Sequence, residues 1–148
     1  MKEKMIAKFK EIYERTDGHV YYSPGRVNLI GEHIDYNGGF VFPCALSYGT
    51  YGVAALRDDQ IVRVFSNPFS KEPYTFDLNN LVKDPSNAWA DYVKGSIKAI
   101  LDKGYKISSG IDLYIEGTLP VSAGLSSSSS LELLIIYIFD HLNDLKLE

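Results

Sequence analysis

The sequence has few of the features that would cross-link a small domain through disulfides or insert it into a membrane. Its 148 residues include one cysteine, Cys44, which excludes an internal disulfide. The apolar neighbours of Cys44 favour a buried structural thiol over a nucleophile. The longest apolar run, Leu133–Phe139, is far shorter than the roughly 20 residues that a membrane span needs. No signal-peptide core is present, and we therefore predict a cytoplasmic protein that contacts no membrane.

An excess of positive charge is also missing. Lysine and arginine number 15 against 19 aspartates and glutamates, which gives a net charge of −4. Binding to nucleic acid depends on clustered basic residues, so we predict no nucleic-acid partner. The apolar fraction of 45% and the charged fraction of 23% are ordinary for a globular domain, and 148 residues suffice for one domain with a core. The sequence does not indicate an oligomeric state.

The hydrophobic pattern predicts strands early in the chain and helices interleaved later. The predicted elements are a helix over 1–16, strands over 19–30, 40–46, 49–57, 61–66 and 74–76, a helix over 87–103, a half-buried strand over 111–117 and a helix over 126–145. A break at Pro24-Gly25 is expected to interrupt the first strand region. This layout predicts an α+β fold.

Between the first two strand regions lies a short connection rich in polar groups. Glu32, His33 and Asp35 crowd onto it, and carboxylates there could accept hydrogen bonds from the hydroxyls of a sugar. Taken singly, the two acids fit a solvated turn, and the histidine fits a structural role. A metal site at His33 and Asp35 is disfavoured because no third ligand lies nearby in the sequence.

A second polar stretch, 122–130, consists of small residues between a strand and an apolar helix. Unpaired backbone N–H groups and the helix dipole make such a helix start suitable for an anion. No Gly-Lys-Ser/Thr follows, so this is not a Walker A loop, and phosphate charge would have to be offset by Mg²⁺ and by residues elsewhere. A flexible serine linker is disfavoured because the apolar helix continues directly. The residues alone leave open a helix that is merely capped.

Both stretches resemble motifs of one family. The segment SPGRVNLIGEHIDYNGG, residues 23–39, closely resembles the signature of galactokinases, within the GHMP family of small-molecule kinases. The segment LPVSAGLSSSSSLE, residues 119–132, resembles the phosphate loop of the same family. The resemblance implies the amino-terminal domain of a GHMP kinase, with a mixed sheet and helices packed on one face.

The resemblance also implies roles for residues of the first motif. Galactose would be bound by Glu32, His33, Ile34 and Asp35, although Ile34 stands where the family usually has threonine. Arg26 would stabilise charge on the acceptor oxygen and on the transferring phosphoryl group.

ATP and Mg²⁺ are the implied cofactors. The phosphates would be held by Ser122, Ala123, Gly124, Leu125, Ser126, Ser127 and Ser128. Ser128 would also ligate Mg²⁺, and Ser66 matches a position that contacts nucleotide in some members. Ser122 and Ser129 depart from the usual glycine and alanine, but both are small. For Trp89 and Tyr92 we predict places in the core-facing side of a helix rather than in an adenine pocket.

The implied activity is ATP-dependent phosphorylation of the anomeric hydroxyl of galactose, which gives galactose 1-phosphate. The family's catalytic aspartate, its carboxylate ligand for Mg²⁺, its third glycine-rich motif and its second domain have no counterpart in 133–148. We therefore expect residues 1–148 to be one amino-terminal domain, a fragment with little turnover of its own. The alternatives are a non-catalytic sensor of galactose and ATP, or a GHMP kinase for a related sugar such as N-acetylgalactosamine or arabinose.

Overall fold

The structure, a computed structural model, describes residues 2–30, 42–67, 69–117 and 127–148, with the backbone alone for 26–30, 42–47 and 127. The elements in chain order are α1 (Lys2–Tyr13), β1 (His19–Ile30), β2 (Phe42–Leu56), β3 (Ile61–Asn67), β4 (Tyr74–Asp77), a 3₁₀ turn (Pro85–Asn87), α2 (Ala88–Asp102), β5 (Ile111–Gly117) and α3 (Ser127–Asn143). The predicted elements are therefore present among these residues with their ends shifted by a few positions, except that the single strand β2 takes the place of the two strands predicted over 40–46 and 49–57.

The five strands form one mixed sheet in the order β1-β2-β5-β3-β4. The inner strands β3 and β5 are parallel, and the other neighbouring pairs are antiparallel. Parallel neighbours need a crossover connection, which here contains β4 and α2. The predicted α+β class with a mixed sheet is confirmed.

The hairpin of β1 and β2 is longer and more continuous than the sequence predicts. Pro24-Gly25 does not end β1, and residues 42–56 form one strand instead of two. The irregularity is absorbed as a register shift, because Pro24 pairs with Gly49 whereas Arg26 pairs with Ala45. The additional residues of β2 bulge out, which lets both strands continue. A Cβ on Gly49 would lie 2.2 Å from the Ser23 carbonyl oxygen, so the close approach here requires glycine.

Helices cover both faces of the sheet. The prediction that the helices pack on one face holds for α2 and α3 but not for α1. The helices α2 and α3 share the larger core cluster, whose fully buried members include Val93, Ile97, Leu113, Ile135 and Phe139. The helix α1 packs on the opposite face. Consequently β5, predicted to be half-buried, is buried on both sides over Ile111–Ile115. Its side chains alternate between two faces of the sheet that are both covered, and neither face is exposed to solvent over these residues.

The face of α1 that meets the sheet is a smaller cluster of its own. Met5, Phe9 and Tyr13 occupy successive turns of α1 and contact Val53 and Tyr114. The spacing of four residues places these side chains on one stripe, which explains why the amphipathic pattern predicted this helix. Among the described residues, no helix combines the length and the apolar character that crossing a membrane would require.

Candidate functional site

One row of the sheet lies next to the segment 118–126, and the hairpin that leads to the segment 31–41 begins from the same row. Thr50 of β2 pairs with Ser23 of β1 on one side and with Gly117 of β5 on the other. Residues 118–126 follow Gly117 and lead into α3 at Ser127. On the other side of the row, the hairpin continues from Ser23 to its last pair, Ile30 with Phe42. Residues 31–41, which carry the acidic cluster, connect those two ends.

The first turn of α3 contacts this row directly. The Ser130 hydroxyl oxygen lies 2.8 Å from the Ser23 carbonyl oxygen and 3.0 Å from the Thr50 hydroxyl oxygen. All three residues are buried. The start of α3 is therefore held on β1 three residues before Arg26. Neither Ser130 nor Thr50 was predicted to have a role, because a run of five serines gives no signal that one of them is buried.

Ser66 lies at the same edge of the sheet. It pairs with Ile115 in the parallel ladder, two residues before Gly117, and its side chain is buried. Its backbone closes a tight loop, because its N–H donates to the Ser70 hydroxyl at 3.0 Å and its carbonyl accepts from the Ser70 N–H at 2.8 Å. Neighbouring residues of a parallel ladder point to one face, so Ser66 shares the face of Ile115 and of the helices α2 and α3.

The other residues predicted for the site stand as follows. Arg26 belongs to β1 and pairs with Ala45. Ser127 and Ser128 open α3, and the Ser128 side chain is exposed. The remaining predicted residues, namely Glu32, His33, Ile34, Asp35, Ser122, Ala123, Gly124, Leu125 and Ser126, lie outside the described residues, as does the side chain of Cys44. Their roles stay predictions.

Two residues of α2 were predicted to face the core, and the structure confirms one of these predictions and contradicts the other. Trp89 is partly buried, packs against the core and meets the ring of Tyr74 edge to face at 6.0 Å. Tyr92, in contrast, is 48% exposed. The buried stripe of α2 runs through Val93 and Ile97, and Tyr92 lies beside this stripe rather than on it.

A buried lysine, not foreseen from the sequence, fixes the start of α2. Lys94 is 6% exposed, and its ammonium group donates to the Tyr74 hydroxyl at 2.7 Å and to the Val82 carbonyl at 2.9 Å. The Tyr74 hydroxyl in turn donates to Asp84 at 2.9 Å. Because Lys94 replaces its water shell with these contacts, the chain from β4 to α2 is held firmly beside Trp89. A lysine within the apolar stripe of a helix was the available signal.

The opposite face of the sheet carries a surface pocket of about 500 Å³ beside α1. Tyr114 forms part of its wall and donates to Glu116 at 2.8 Å. Burial, together with Glu116, raises the pKa of Tyr114 to about 12. The lining residues are Lys4, Ala7, Lys8, Glu11, Phe65, Asn67, Tyr114 and Glu116, none of which is a predicted site residue. This pocket lies across the sheet from the row that meets α3.

The described side chains offer little to a metal ion on their own. They contain no group of three or more histidine, cysteine, aspartate or glutamate residues that could hold one. Ser128 supplies one hydroxyl at the first turn of α3, where the helix start favours anions.

Comparison with known proteins identifies the family of this chain. The family model for the galactokinase galactose-binding signature matches residues 7–56, and the model for the GHMP kinases N terminal domain matches residues 91–148. A galactokinase of Clostridium perfringens is 53% identical over 129 residues, covering 86% of this chain and 33% of the relative. A galactokinase of Fusobacterium nucleatum is 50% identical over 145 residues, covering 96% of this chain and 37% of the relative.

Among solved structures, the galactokinase of Lactococcus lactis complexed with galactose superposes with a TM-score of 0.94 at 43% identity, covering 99% of this chain and 38% of that one. The chain thus spans little more than a third of the length of the galactokinases it matches. It belongs to the GHMP kinase family and corresponds to the amino-terminal part of a galactokinase.

Proposed function

We propose that this chain supplies the galactose site and the phosphate-binding loop of a kinase that transfers the γ-phosphoryl group of ATP to the anomeric hydroxyl of galactose. The observation that carries the proposal is the contact of Ser130 with Ser23, which holds the start of α3 against the strand that leads to Arg26. The similarity to a galactokinase complexed with galactose supports the choice of sugar.

In this proposal each motif holds one reactant. Glu32, His33, Ile34 and Asp35 bind the sugar. A polar site built for particular hydroxyls rejects an epimer, because a misplaced hydroxyl leaves a buried partner unsatisfied. Phosphoryl transfer gains its rate mainly from positioning and charge, so the nearness of the two motifs is what the reaction needs.

The phosphate loop supplies most of the nucleotide contacts. The residues 122–128 and the first turn of α3 hold the phosphates, and Ser66 contacts the nucleotide from the end of β3. Ser128 would hold Mg²⁺ together with the phosphate oxygens. Bound there, the ion would offset the phosphate charge, which no lysine in 122–130 can do. Arg26 stabilises the charge that develops during transfer. We place the reaction in the cytoplasm, where ATP is available.

The test is a binding titration of the 148-residue chain with galactose, glucose, N-acetylgalactosamine, arabinose and Mg-ATP by calorimetry. We expect galactose and Mg-ATP to bind. Glucose should bind weaker by about tenfold or more, since one unsatisfied hydrogen-bonding group costs about 1–3 kcal/mol. A preference for another sugar would overturn the choice of substrate, and failure of both ligands to bind would overturn the proposal.

A matched pair of variants tests the phosphate loop. Ser128→Ala should weaken Mg-ATP and leave galactose unchanged, because only the nucleotide site loses a hydroxyl. Ser86→Ala removes an exposed hydroxyl from the 3₁₀ turn and serves as the control. In a turnover assay on the same sample we expect little phosphorylation of galactose by this chain alone. Rapid phosphorylation would contradict that expectation and would exclude a non-catalytic sensor.

A further inference from the structure

The Ser130 hydroxyl connects three elements of the fold. It lies within hydrogen-bond distance of the Ser23 carbonyl on β1 and of the Thr50 hydroxyl on β2, and its residue is 2% exposed. A hydroxyl carries one proton and a carbonyl only accepts. Ser130 therefore donates to Ser23, and the proton of the second bond comes from Thr50. One short chain of bonds satisfies all three groups.

These bonds lie close to the described residues on either side of the segment 118–126. Thr50 is level with Gly117, the last residue of β5, and α3 begins at Ser127, less than one turn before Ser130. Ser23 lies three residues before Arg26 on β1. A single buried hydroxyl thus fixes the start of α3 relative to the strand that carries Arg26.

We infer that Ser130 is a positioning residue for the nucleotide. This inference rests on the proposed function, because it assumes that the start of α3 faces the phosphates of ATP. A helix start binds an anion well only when its N–H groups are already fixed in place. Without the Ser130 hydroxyl, the first turn of α3 loses its anchor on the sheet and must be ordered when ATP binds. The cost falls on ATP and not on galactose.

A second buried serine provides a matched control. Ser96 of α2 is 4% exposed, and its hydroxyl donates at 2.8 Å to the Tyr92 carbonyl of its own helix. Replacing either serine by alanine removes one buried hydroxyl and the same atoms. The Ser130 hydroxyl joins α3 to β1 and β2, whereas the Ser96 hydroxyl bonds only within α2. A difference between the two variants therefore reports the junction rather than the general cost of losing a hydroxyl.

The experiment measures the affinities of the 148-residue chain for Mg-ATP and for galactose by calorimetry, with thermal unfolding of each variant recorded alongside. We expect Ser130→Ala to raise the Kd for Mg-ATP roughly tenfold, the equivalent of about 1.4 kcal/mol. The Kd for galactose should change by less than about threefold. Ser96→Ala should change neither affinity while lowering thermal stability by a similar amount.

Two Thr50 variants provide an independent test should Ser130→Ala fold poorly. Thr50→Val removes the hydroxyl that completes the chain and should weaken Mg-ATP in the same selective way. Thr50→Ser keeps the hydroxyl and should restore most of the affinity. A double variant of Ser130→Ala with Thr50→Val should lose less than the two single losses added together, because both act on one junction.

The outcomes separate this inference from the proposed function. If the unaltered chain binds neither ligand, the proposed function and this inference both fall. If it binds both, but Ser130→Ala weakens Mg-ATP no more than Ser96→Ala does, only the inference is overturned. Equal weakening of galactose and Mg-ATP in Ser130→Ala would also overturn it, since that result indicates a general structural role.

Discussion

At the scale of single residues, the most unusual group in the described part of the chain is Asp112. Its side chain is 1% exposed on β5, and it accepts hydrogen bonds from three guanidinium groups. Arg63 donates through two nitrogens at 2.6 and 2.8 Å, Arg57 at 2.9 Å and Arg15 at 3.2 Å. A carboxylate so deep in the fold is stable only because the cations replace its lost water.

Replacing this carboxylate should destabilise the fold strongly. Asp112→Asn removes the carboxylate on which three guanidinium groups converge. Arg15 and Arg57 keep Asp17 and Asp59 as partners, whereas Arg63 loses the carboxylate that it binds through two nitrogens. We expect a loss of about 3–5 kcal/mol in the free energy of unfolding. Asp17→Asn is the control, because Asp17 pairs with Arg15 but its side chain is 60% exposed. Its loss should stay below about 1 kcal/mol. Urea titration measures both, and equal losses would contradict the assignment of Asp112 as the central group.

The same cluster predicts a stability that falls in acid. Burial would raise the pKa of Asp112, but the hydrogen bonds from Arg63 and Arg57 outweigh it and hold the pKa below its ordinary value. The Arg57 hydrogen bond, aided by the N–H of Ile61, lowers the pKa of Asp59 to about 2. A lowered carboxylate pKa adds stability above the unfolded value of 3.8, and that stability is lost as the pH falls through the folded value.

We therefore expect the urea midpoint to decrease from about pH 4 to about pH 2. Asp59→Asn should flatten this decrease, because the variant has no proton to take up at that position. The measurement is a series of urea titrations across this range for both proteins. A midpoint that is independent of pH in the unaltered chain would contradict the lowered pKa values.

At the scale of elements, glycine has opposite effects in the hairpin and in the helix. On β2, Gly49 lies so close to β1 that an added Cβ would meet the Ser23 carbonyl, the Tyr22 ring and the Pro24 Cα within 3 Å. On α2, Gly95 is exposed, and an added Cβ would meet nothing within 4 Å. The hairpin requires Gly49 because two strands approach closely there, whereas Gly95 only lowers the stability of the helix.

The same substitution should therefore have opposite signs at these positions. Gly49→Ala forces β2 away from Ser23 and should cost about 1–3 kcal/mol of unfolding free energy. Gly95→Ala should add about 0.5–1 kcal/mol, since alanine is the better helix former. Thermal and urea unfolding of the two variants measure this directly. A stabilising Gly49→Ala would show that the strands can separate here without cost.

At the scale of the whole molecule, α3 is the element that the fold covers least evenly. The sequence from Leu133 to Phe139 is apolar almost all around the helix, which indicates burial on every side. In the structure Ile138 and Phe139 are buried against the sheet, but Leu133 is 60% exposed and Tyr137 57% exposed. The two exposed side chains are one turn apart and lie on the same side of the helix.

We expect this exposed pair to promote association of the 148-residue chain. Leu133→Lys with Tyr137→Lys should lower the apparent mass in light scattering at high concentration, because the apolar surface becomes charged. Phe69→Lys with Val82→Lys changes the net charge equally at side chains that are 59% and 65% exposed. A decrease of equal size in the control pair would assign the effect to charge alone.

Local pattern was sufficient for most of the secondary structure and for the family. Alternation and helical spacing depend on neighbours along the chain, so β3, β5, α2 and α3 were predicted with small errors at their ends. The strand β1 was predicted over the observed residues but with a break at Pro24-Gly25, and β2 was predicted as two strands. Only the pairing across the hairpin shows that a register shift lets both strands continue. The motif resemblance likewise depends only on the order and identity of residues.

Only the tertiary structure decided which residues meet. Ser130 among five serines, Lys94 in α2 and Asp112 in β5 all look exposed or ambiguous in the sequence. Each is buried by contacts with distant segments: Ser130 with β1 and β2, Lys94 with Tyr74 and Val82, and Asp112 with three arginines. The order of strands depends on contacts between distant segments, which periodicity does not encode. The sequence by itself thus determined the elements and the family, and the packing of distant strands determined that α3 begins beside the strand of Arg26.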